Sequence, residues 1–169
     1  MASASTRKTS PRRAAVDLGA LPGHCIRRLQ QIAVGIFMHE SQAGGVTPVQ
    51  FAVLQTLAGQ AGIDQRTLAG AVSFDTSTIG GVVDRLEARG LVSRSQHAGD
   101  RRVRLLELTP DGQELLDRLT PSMQRTQQRI LEPLSAGERR EFMRMMRLVI
   151  EHHEAQGPPG RAGAPGAAA

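Results

Sequence analysis

Residues 64–108 read DQRTLAGAVSFDTSTIGGVVDRLEARGLVSRSQHAGDRRVRLLEL, and this stretch decides the fold of the chain. Its spacing predicts a short helix over residues 64–72, a tight turn, and a second helix that opens at Asp75 and ends before Gly90. Asp75 is suited to cap the second helix, because a carboxylate accepts hydrogen bonds from the free N–H groups of a first turn. Gly90 directly follows the last periodic residue, which is typical of a left-handed helix end.

The second helix is amphipathic. Its apolar residues recur at spacings of three and four, as Ile79, Val82, Val83 and Leu86. The other face carries Thr76, Ser77, Gly80, Gly81, Asp84 and Arg85. A glycine inside a helix costs about 1 kcal/mol relative to alanine. Gly80 and Gly81 therefore indicate either the close approach of a DNA groove or tight packing on a neighbouring helix, and the sequence leaves both open.

A basic hairpin follows the second helix. Residues 91–95 lead into a turn at residues 97–100, and residues 101–108 return. Arginines concentrate here, at Arg94, Arg101, Arg102 and Arg104, with Asp100 as the carboxylate expected to oppose them. Helix, turn, helix and basic hairpin in this order predict a winged helix-turn-helix, which offers a helix to the major groove of DNA and a loop to the minor groove. We predict a mainly α fold with a small two-stranded β wing.

Composition narrows the class of protein. The chain has 169 residues, of which 40% are hydrophobic, so we expect one domain with tails. The formal net charge is +5, and Lys8 is the only lysine; arginine binds phosphates and guanine edges bidentately. Cys25 is the single cysteine, which excludes an intrachain disulfide. Without an apolar run of membrane length or a secretory signal, we expect a cytoplasmic bacterial protein, associated with the nucleoid through DNA.

Helices flank the quoted stretch on both sides. The sequence predicts a long helix from Leu21 to about Ser41, and a capping box at Thr47–Gln50 that starts the next helix. Thr109–Pro110 opens another helix, in which Pro121 is expected to cause a kink or a break. A second capping box, Ser135–Glu138, begins the last helix.

These patterns predict five segments. A disordered basic arm covers residues 1–20, and an N-terminal dimerisation helix covers 21–45. The winged helix-turn-helix occupies residues 46–110, C-terminal dimerisation helices occupy 111–154, and a disordered Gly/Pro/Ala-rich tail covers 155–169. The flanking helices have apolar faces that a small domain cannot bury, so we expect a symmetric dimer. Its two recognition helices would then lie about 34 Å apart on a palindromic DNA site.

Several motifs carry a family resemblance. They are residues 46–51 (VTPVQF), 68–69 (LA), 77–79 (STI), 83–92 (VDRLEARGLV), 100–102 (DRR) and 108–112 (LTPDG). With them the chain resembles the MarR family of bacterial transcription regulators over about residues 21–153. The resemblance implies an obligate homodimer, a triangular and mostly helical shape, and repression relieved by a small ligand, often a phenolic or aromatic acid.

The resemblance also implies roles in DNA binding. Ser77 and Thr78 would touch bases or phosphates, Arg85 would reach the backbone, and Arg102 would enter the minor groove, directed by Asp100. An arginine in a narrow A/T-rich groove meets enhanced negative potential. Thr67 could meet a phosphate at the start of its helix. The predicted DNA-binding residues are Thr67, Thr76, Ser77, Thr78, Gly81, Arg85, Arg94, Asp100, Arg101 and Arg102.

Two kinds of sensor are open. Residues 22–31 (PGHCIRRLQQ) look similar to regulators of aromatic and nicotinate-type catabolism, which makes His24, Arg27, Arg28 and His39 the candidates for binding an aromatic acid. Alternatively Cys25 could sense peroxide, since the family's redox branch keeps its cysteine early in the first helix. Solvated charges and simple packing remain the alternatives for these residues.

Other functions are less favoured. We expect no metal site and no cofactor, because adjacent side chains such as His152 and His153 point about 100° apart on a helix. A constitutive DNA-binding dimer without ligand stays open. A module for protein interaction is disfavoured by Asp100 and Arg102, and no nucleophile–base pair or phosphate loop indicates an enzyme.

Overall fold

The computed structural model describes residues 16–96, 99 and 103–156. The helices are α1 (Pro22–Glu40), α2 (Pro48–Gly59), α3 (Gln65–Ala71), α4 (Thr76–Ala88), α5 (Pro110–Ile130) and α6 (Ala136–Ala155). The strands are β1 (Ile63–Asp64), β2 (Val92–Gln96) and β3 (Arg104–Leu108). Short 3₁₀ turns at Leu18–Ala20 and Gln42–Gly44 precede and follow α1. The mainly helical fold with a small wing is confirmed.

Local side-chain chemistry starts two of these helices as predicted. At α2 the Thr47 N–H donates to Gln50 Oε1 at 2.9 Å, and the Gln50 N–H donates to Thr47 Oγ1 at 3.3 Å. Ser135 and Glu138 form the same reciprocal pair at α6. Each box satisfies two N–H groups that the helix itself leaves free, which places the first residue of the helix.

Helix α5 does not break at Pro121, which excludes one of the two predicted outcomes, and the kink stays a prediction. The helix continues to Ile130, and it buries Leu119 before the proline and Thr126 after it. A proline inside a helix costs about 3 kcal/mol. Buried side chains on both sides hold the helix against its neighbours, which offsets a cost that an isolated helix could not bear.

The sheet has one strand more than the predicted wing. Its order is β1-β3-β2, and all pairs are antiparallel. The added strand contributes only two pairs, Ile63 with Leu106 and Asp64 with Leu105. Two residues are too few for alternation of apolar and polar side chains to signal a strand. Strand β1 joins the start of α3 to the middle of β3.

The core lies within the helix-turn-helix and its immediate neighbours. Its fully buried members include Leu54, Leu57, Leu68, Ile79, Leu86 and Leu106, and α5 adds Leu115, Leu116 and Leu119. By contrast Phe37 is the one buried residue of α1, and α6 has none. The apolar faces of the two flanking helices are thus left open in one protomer. Within the described residues, every helix is too short or too polar to cross a membrane.

Candidate nucleic-acid interface

Asp75 organises the exposed start of α4. Its carboxylate accepts the Thr78 N–H at 2.8 Å, and it also accepts the Ser77 and Thr78 hydroxyls at 2.5 Å each. These donors, the Ser77 hydroxyl foremost, hold the pKa of Asp75 well below its usual range. The predicted cap is confirmed. Because both hydroxyl hydrogens point to Asp75, the side chains offer lone pairs outward, which suits amino donors on base edges better than phosphate oxygens.

Helix α3 contacts the first turn of α4 through Gln65. Gln65 Nε2 donates to the Thr76 carbonyl at 3.0 Å. A Cβ built on Gly80 would lie 2.9 Å from that same Nε2, so a side chain at Gly80 would displace the amide. That amide is the end of a flexible side chain that can shift, so packing alone does not decide Gly80 and both interpretations stay open. Gly81 differs, because a Cβ there would meet only Arg85 Nη1 at 3.6 Å, and the close approach of a ligand to Gly81 stays a prediction.

Thr67 and Arg85 are exposed, as a DNA contact requires. Asp64 caps α3 by accepting the Thr67 N–H at 2.7 Å. The pKa of Asp64 is lowered first by this backbone hydrogen bond and then by a hydrogen bond from the Thr67 hydroxyl. Arg85 forms no ion pair with any described residue, so its guanidinium keeps its donors for a partner. The roles of both residues remain predictions.

Arg94 is held by the recognition helix rather than presented freely. Its Nη2 lies 2.6 Å from Asp84 Oδ1, its Nη1 donates to Glu87, and only 22% of the side chain is exposed. Burial lowers the pKa of Arg94, but the hydrogen bond with Asp84 and the charge of Glu87 outweigh it and raise that pKa. The expectation that Asp100 alone would oppose the wing arginines is wrong at Arg94. This pairing joins β2 to the outer face of α4.

The tip of the wing falls outside the described residues. Asp100, Arg101 and Arg102 belong to that part, so their roles stay predictions. The pairing of Gln96 with Arg104 is the last rung of the hairpin before the tip.

The other end of α4 carries a contact that the sequence did not reveal. Arg89 donates from Nη1 to the Gly45 carbonyl at 2.8 Å and from Nη2 to the Gly44 carbonyl at 3.1 Å. Gly90 follows at φ 71°, the predicted left-handed helix end, and its carbonyl accepts the Thr109 hydroxyl at 2.7 Å. No local pattern could have indicated the Arg89 contact, because its partners lie more than 40 residues earlier.

The candidate effector residues divide into two groups. His24 Nδ1 lies 3.4 Å from Arg27 Nη2, and Arg28 is exposed on the next turn. His39 lies 15 positions along the same helix from His24, which is about 22 Å at 1.5 Å per residue. One protomer therefore brings His24 and Arg27 together but not His39. An open depression on α6 is lined instead by Arg139, Arg140, Met143 and Arg147, none of them predicted for the effector.

Glu40, at the end of α1, is the centre of an unforeseen ion cluster. Its Oε2 accepts Arg125 Nε at 2.9 Å and its Oε1 accepts Arg129 Nη1 at 2.6 Å, with His39 at 3.7 Å. The bond from Arg129, then that from Arg125, lowers the pKa of Glu40. The cluster joins α1 to α5, and its donors lie 85 and 89 residues from Glu40, beyond the reach of sequence patterns.

Cys25 is exposed, and its thiol donates a hydrogen bond to the Gly19 carbonyl at 3.2 Å. A reactive cysteine needs a stabilised thiolate, which a neighbouring guanidinium can provide. No hydrogen bond joins Arg28 to Cys25 in the described part of the chain. This environment gives no support to the redox alternative.

The model of the MarR family matches residues 46–103. The HTH-type transcriptional repressor NicR of Pseudomonas putida is 33% identical over 157 residues, which covers 90% of this chain and 99% of NicR. The chain belongs to the MarR family. It is a transcriptional repressor of the MarR type.

Solved structures of this family agree with the fold. The PcaV regulator of Streptomyces coelicolor, in complex with its natural ligand, is 39% identical with a TM-score of 0.74, covering 82% of this chain and 97% of PcaV. BpsR of Bordetella bronchiseptica, whose DNA binding is regulated by 6-hydroxynicotinic acid, is 31% identical with a TM-score of 0.76. That match covers 80% of this chain and 97% of BpsR. Nearly the whole length of each relative is therefore matched.

Proposed function

We propose that this MarR-family chain is a homodimer that binds a palindromic operator in double-stranded DNA and is released by a small aromatic acid. The observation that carries the proposal is the exposed first turn of α4. Its polar side chains, Thr76, Ser77 and Thr78, are accessible to the edges of DNA bases. Arg85 on the same helix, with Arg101 and Arg102 in the wing, would bind the backbone and the minor groove. We infer a binding role and not an enzymatic one, because the relatives are regulators.

The flanking helices support dimerisation. Helix α6 spans 20 residues and buries none of them in its own protomer. Met145, Leu148 and Val149 are 45–57% exposed, and they share one face because they are spaced by three and four residues. Ile26 and Ile32 of α1 are equally open. Such stripes gain their stability by burial, and a second copy of the chain supplies a matching surface.

Charge placed in this stripe tests the dimer. Leu148→Glu should convert the dimer to monomer and remove operator binding, because a carboxylate would be buried without a partner. Leu148→Met is the matched control and should remain dimeric, since it keeps the apolar surface. Sedimentation equilibrium measures the state of each variant. A Leu148→Glu protein that stays dimeric would place the interface elsewhere.

The effector site is proposed at the start of α1. His24 and Arg27 already lie together, and a guanidinium from Arg27 or Arg28 can hold a carboxylate with two parallel hydrogen bonds. The likeness to BpsR, whose DNA binding is regulated by 6-hydroxynicotinic acid, favours an acid of the hydroxynicotinate class, and the family resemblance adds the phenolic acids. Because these residues are not buried in one protomer, the partner subunit would have to cover the ligand. Binding would favour a spacing of recognition helices that no longer fits DNA.

A mobility shift on the DNA upstream of the protein's own gene tests the proposal. We expect a shift that 6-hydroxynicotinate or a hydroxybenzoate weakens; a 100-fold loss corresponds to about 2.7 kcal/mol of coupling. Arg27→Lys and Arg28→Lys should keep the shift and blunt the response, whereas Arg118→Lys, on an exposed pair with Glu114, should change neither.

The other results of this experiment are informative. A shift that no acid changes would leave a constitutive DNA-binding dimer. If peroxide removes the mobility shift of the wild type but not that of Cys25→Ser, the redox alternative is established. Absence of a shift at low salt would overturn DNA binding at this site, because electrostatic affinity is greatest there.

A further inference from the structure

The recognition helix α4 touches the segment between α1 and α2 through Arg89. This guanidinium donates to two successive carbonyls, those of Gly44 and Gly45, at 3.1 and 2.8 Å. Arg89 directly follows the last residue of α4, and among the described residues no side chain within α4 forms a hydrogen bond to the connecting segment, residues 41–47. Two donors on one planar group resist both translation and rotation of the segment, which a single bond would not.

The connecting segment is itself held in one position. Ser41 donates its hydroxyl to the Phe37 carbonyl at 2.7 Å, and the Gly44 N–H donates to the Ser41 carbonyl at 2.9 Å. A Cβ on Gly44 would lie 2.5 Å from Leu119 of α5, so the backbone rests directly on that helix. Gly45 then adopts φ 57°, which turns the chain into α2. A displacement of α1 relative to α5 must therefore move the carbonyls that Arg89 holds.

The anchor of α1 lies immediately before this segment. Glu40 is only 13% exposed at its side chain and is bound by Arg125 and Arg129 of α5. The order along the chain is thus the Glu40 cluster, the connecting segment, and the two carbonyls bound by Arg89. This is a continuous set of contacts from the proposed dimerisation helices to the last turn of the recognition helix.

We propose that Arg89 is a positioning residue that transmits the placement of α1 and α5 to the recognition helix. Arg89 does not contact DNA in this role. It sets the orientation of α4 relative to α1 and α5. This inference rests on the proposed DNA-binding function. It adds a residue by which a change near α1 alters the distance between two recognition helices, and it does not depend on which acid binds.

A double-mutant cycle on operator affinity tests the inference. Arg89→Ala should weaken operator binding about two- to thirtyfold, the usual range for a residue that couples two regions. Glu40→Gln should also weaken binding in the wild-type background. In the Arg89→Ala background Glu40→Gln should have no further effect, because the connection between the two residues is already cut. Arg89→Lys, which keeps the charge and loses the double hydrogen bond, should be intermediate.

Arg139 provides a matched control. It also binds two carbonyls, those of Leu134 and Glu132, at 2.8 and 3.4 Å, but at the turn between α5 and α6. Arg139→Ala combined with Glu40→Gln should be additive. Thermal unfolding verifies that each variant is folded, and Arg89→Gln replaces Arg89→Ala if the latter is not. Amide exchange without DNA gives a second readout: Arg89→Ala should lower protection both in the last turn of α4 and at residues 44–46.

Two failures are distinguishable. If the wild-type protein binds no operator, the proposed function fails. If the wild type binds but Arg89→Ala binds equally well, or if its effect adds to that of Glu40→Gln, the positioning role of Arg89 is overturned while DNA binding stands.

Discussion

At the scale of single residues, several charged side chains near the proposed DNA-binding surface already have partners within the protein. Asp75 binds the hydroxyls that begin α4, and Asp84 with Glu87 binds Arg94. A basic residue near DNA is therefore not always a phosphate ligand. Arg94 stabilises the angle between wing and helix, whereas Arg85 has no such partner among the described residues. The two arginines should behave differently when salt is varied.

We predict that Arg94→Ala weakens operator binding without changing its salt dependence. The variant loses an intramolecular link and no phosphate contact, so the number of released counterions stays constant. Arg85→Ala should instead reduce the slope of log affinity against log salt by about 0.9, the value for one phosphate. Fluorescence anisotropy at several salt concentrations measures both. A slope that falls for Arg94→Ala would show that this guanidinium leaves its carboxylates for DNA.

At the scale of elements, one glycine sets how closely α5 approaches the wing. A Cβ on Gly112, in the first turn of α5, would lie 2.1 Å from the Leu91 carbonyl oxygen and 2.7 Å from Leu108 Cδ1. Both strands of the hairpin begin or end here, and Thr109 donates its N–H to the same Leu91 carbonyl at 3.2 Å. Only a residue without a side chain permits this distance. The base of the wing is thereby fixed to α5.

Gly112→Ala should destabilise the protein by about 1–3 kcal/mol, because the methyl group forces backbone apart. Gly137 is the matched control, since it also lies in the first turn of a helix but a Cβ there would meet nothing within 4 Å. Gly137→Ala should stabilise by about 0.4–1 kcal/mol through reduced freedom of the unfolded chain. Urea unfolding measures both changes. Equal effects of the two substitutions would mean that α5 can retreat from Leu91 at little cost.

At the scale of the whole molecule, ion pairs join elements that are distant in sequence. Glu40 binds α1 to α5 through Arg125 and Arg129, and the pKa of Glu40 is lowered by these bonds. A carboxyl whose pKa is lower in the folded state stabilises the fold fully above its ordinary value of 4.5. That contribution is lost as pH falls through 4.5 towards the lowered value.

We predict that Glu40→Gln lowers the unfolding temperature at pH 7. The unfolding temperature of the variant should also decrease less than that of the wild type as the pH is lowered. Wild type and variant should converge at low pH, where Glu40 is protonated and resembles the amide. Calorimetry between pH 7 and pH 3 gives the two curves. Parallel curves would mean that the Glu40 pairs contribute nothing to stability.

The predictions that held rest on contacts within a few residues. Asp75 and Thr78, Thr47 and Gln50, and Ser135 and Glu138 are each three positions apart, so a side chain reaches its backbone partner wherever the helix lies. The stripe at Ile79, Val82, Val83 and Leu86 is buried as its periodicity predicts. The continuity of α5 through Pro121 and the presence of strand β1 could not be decided in this way, since burial and strand pairing depend on distant residues.

The sequence by itself determined the helices, their capped starts and the winged helix-turn-helix order, because these follow from propensity, periodicity and short-range hydrogen bonds. The tertiary structure alone decided which charges meet. Arg94 met carboxylates on α4, Glu40 met arginines of α5, and Arg89 met the carbonyls of Gly44 and Gly45. An arginine side chain is long, so in an unfolded chain many acceptors are accessible to it. Packing of the helices and strands then fixes which acceptors lie within hydrogen-bonding distance.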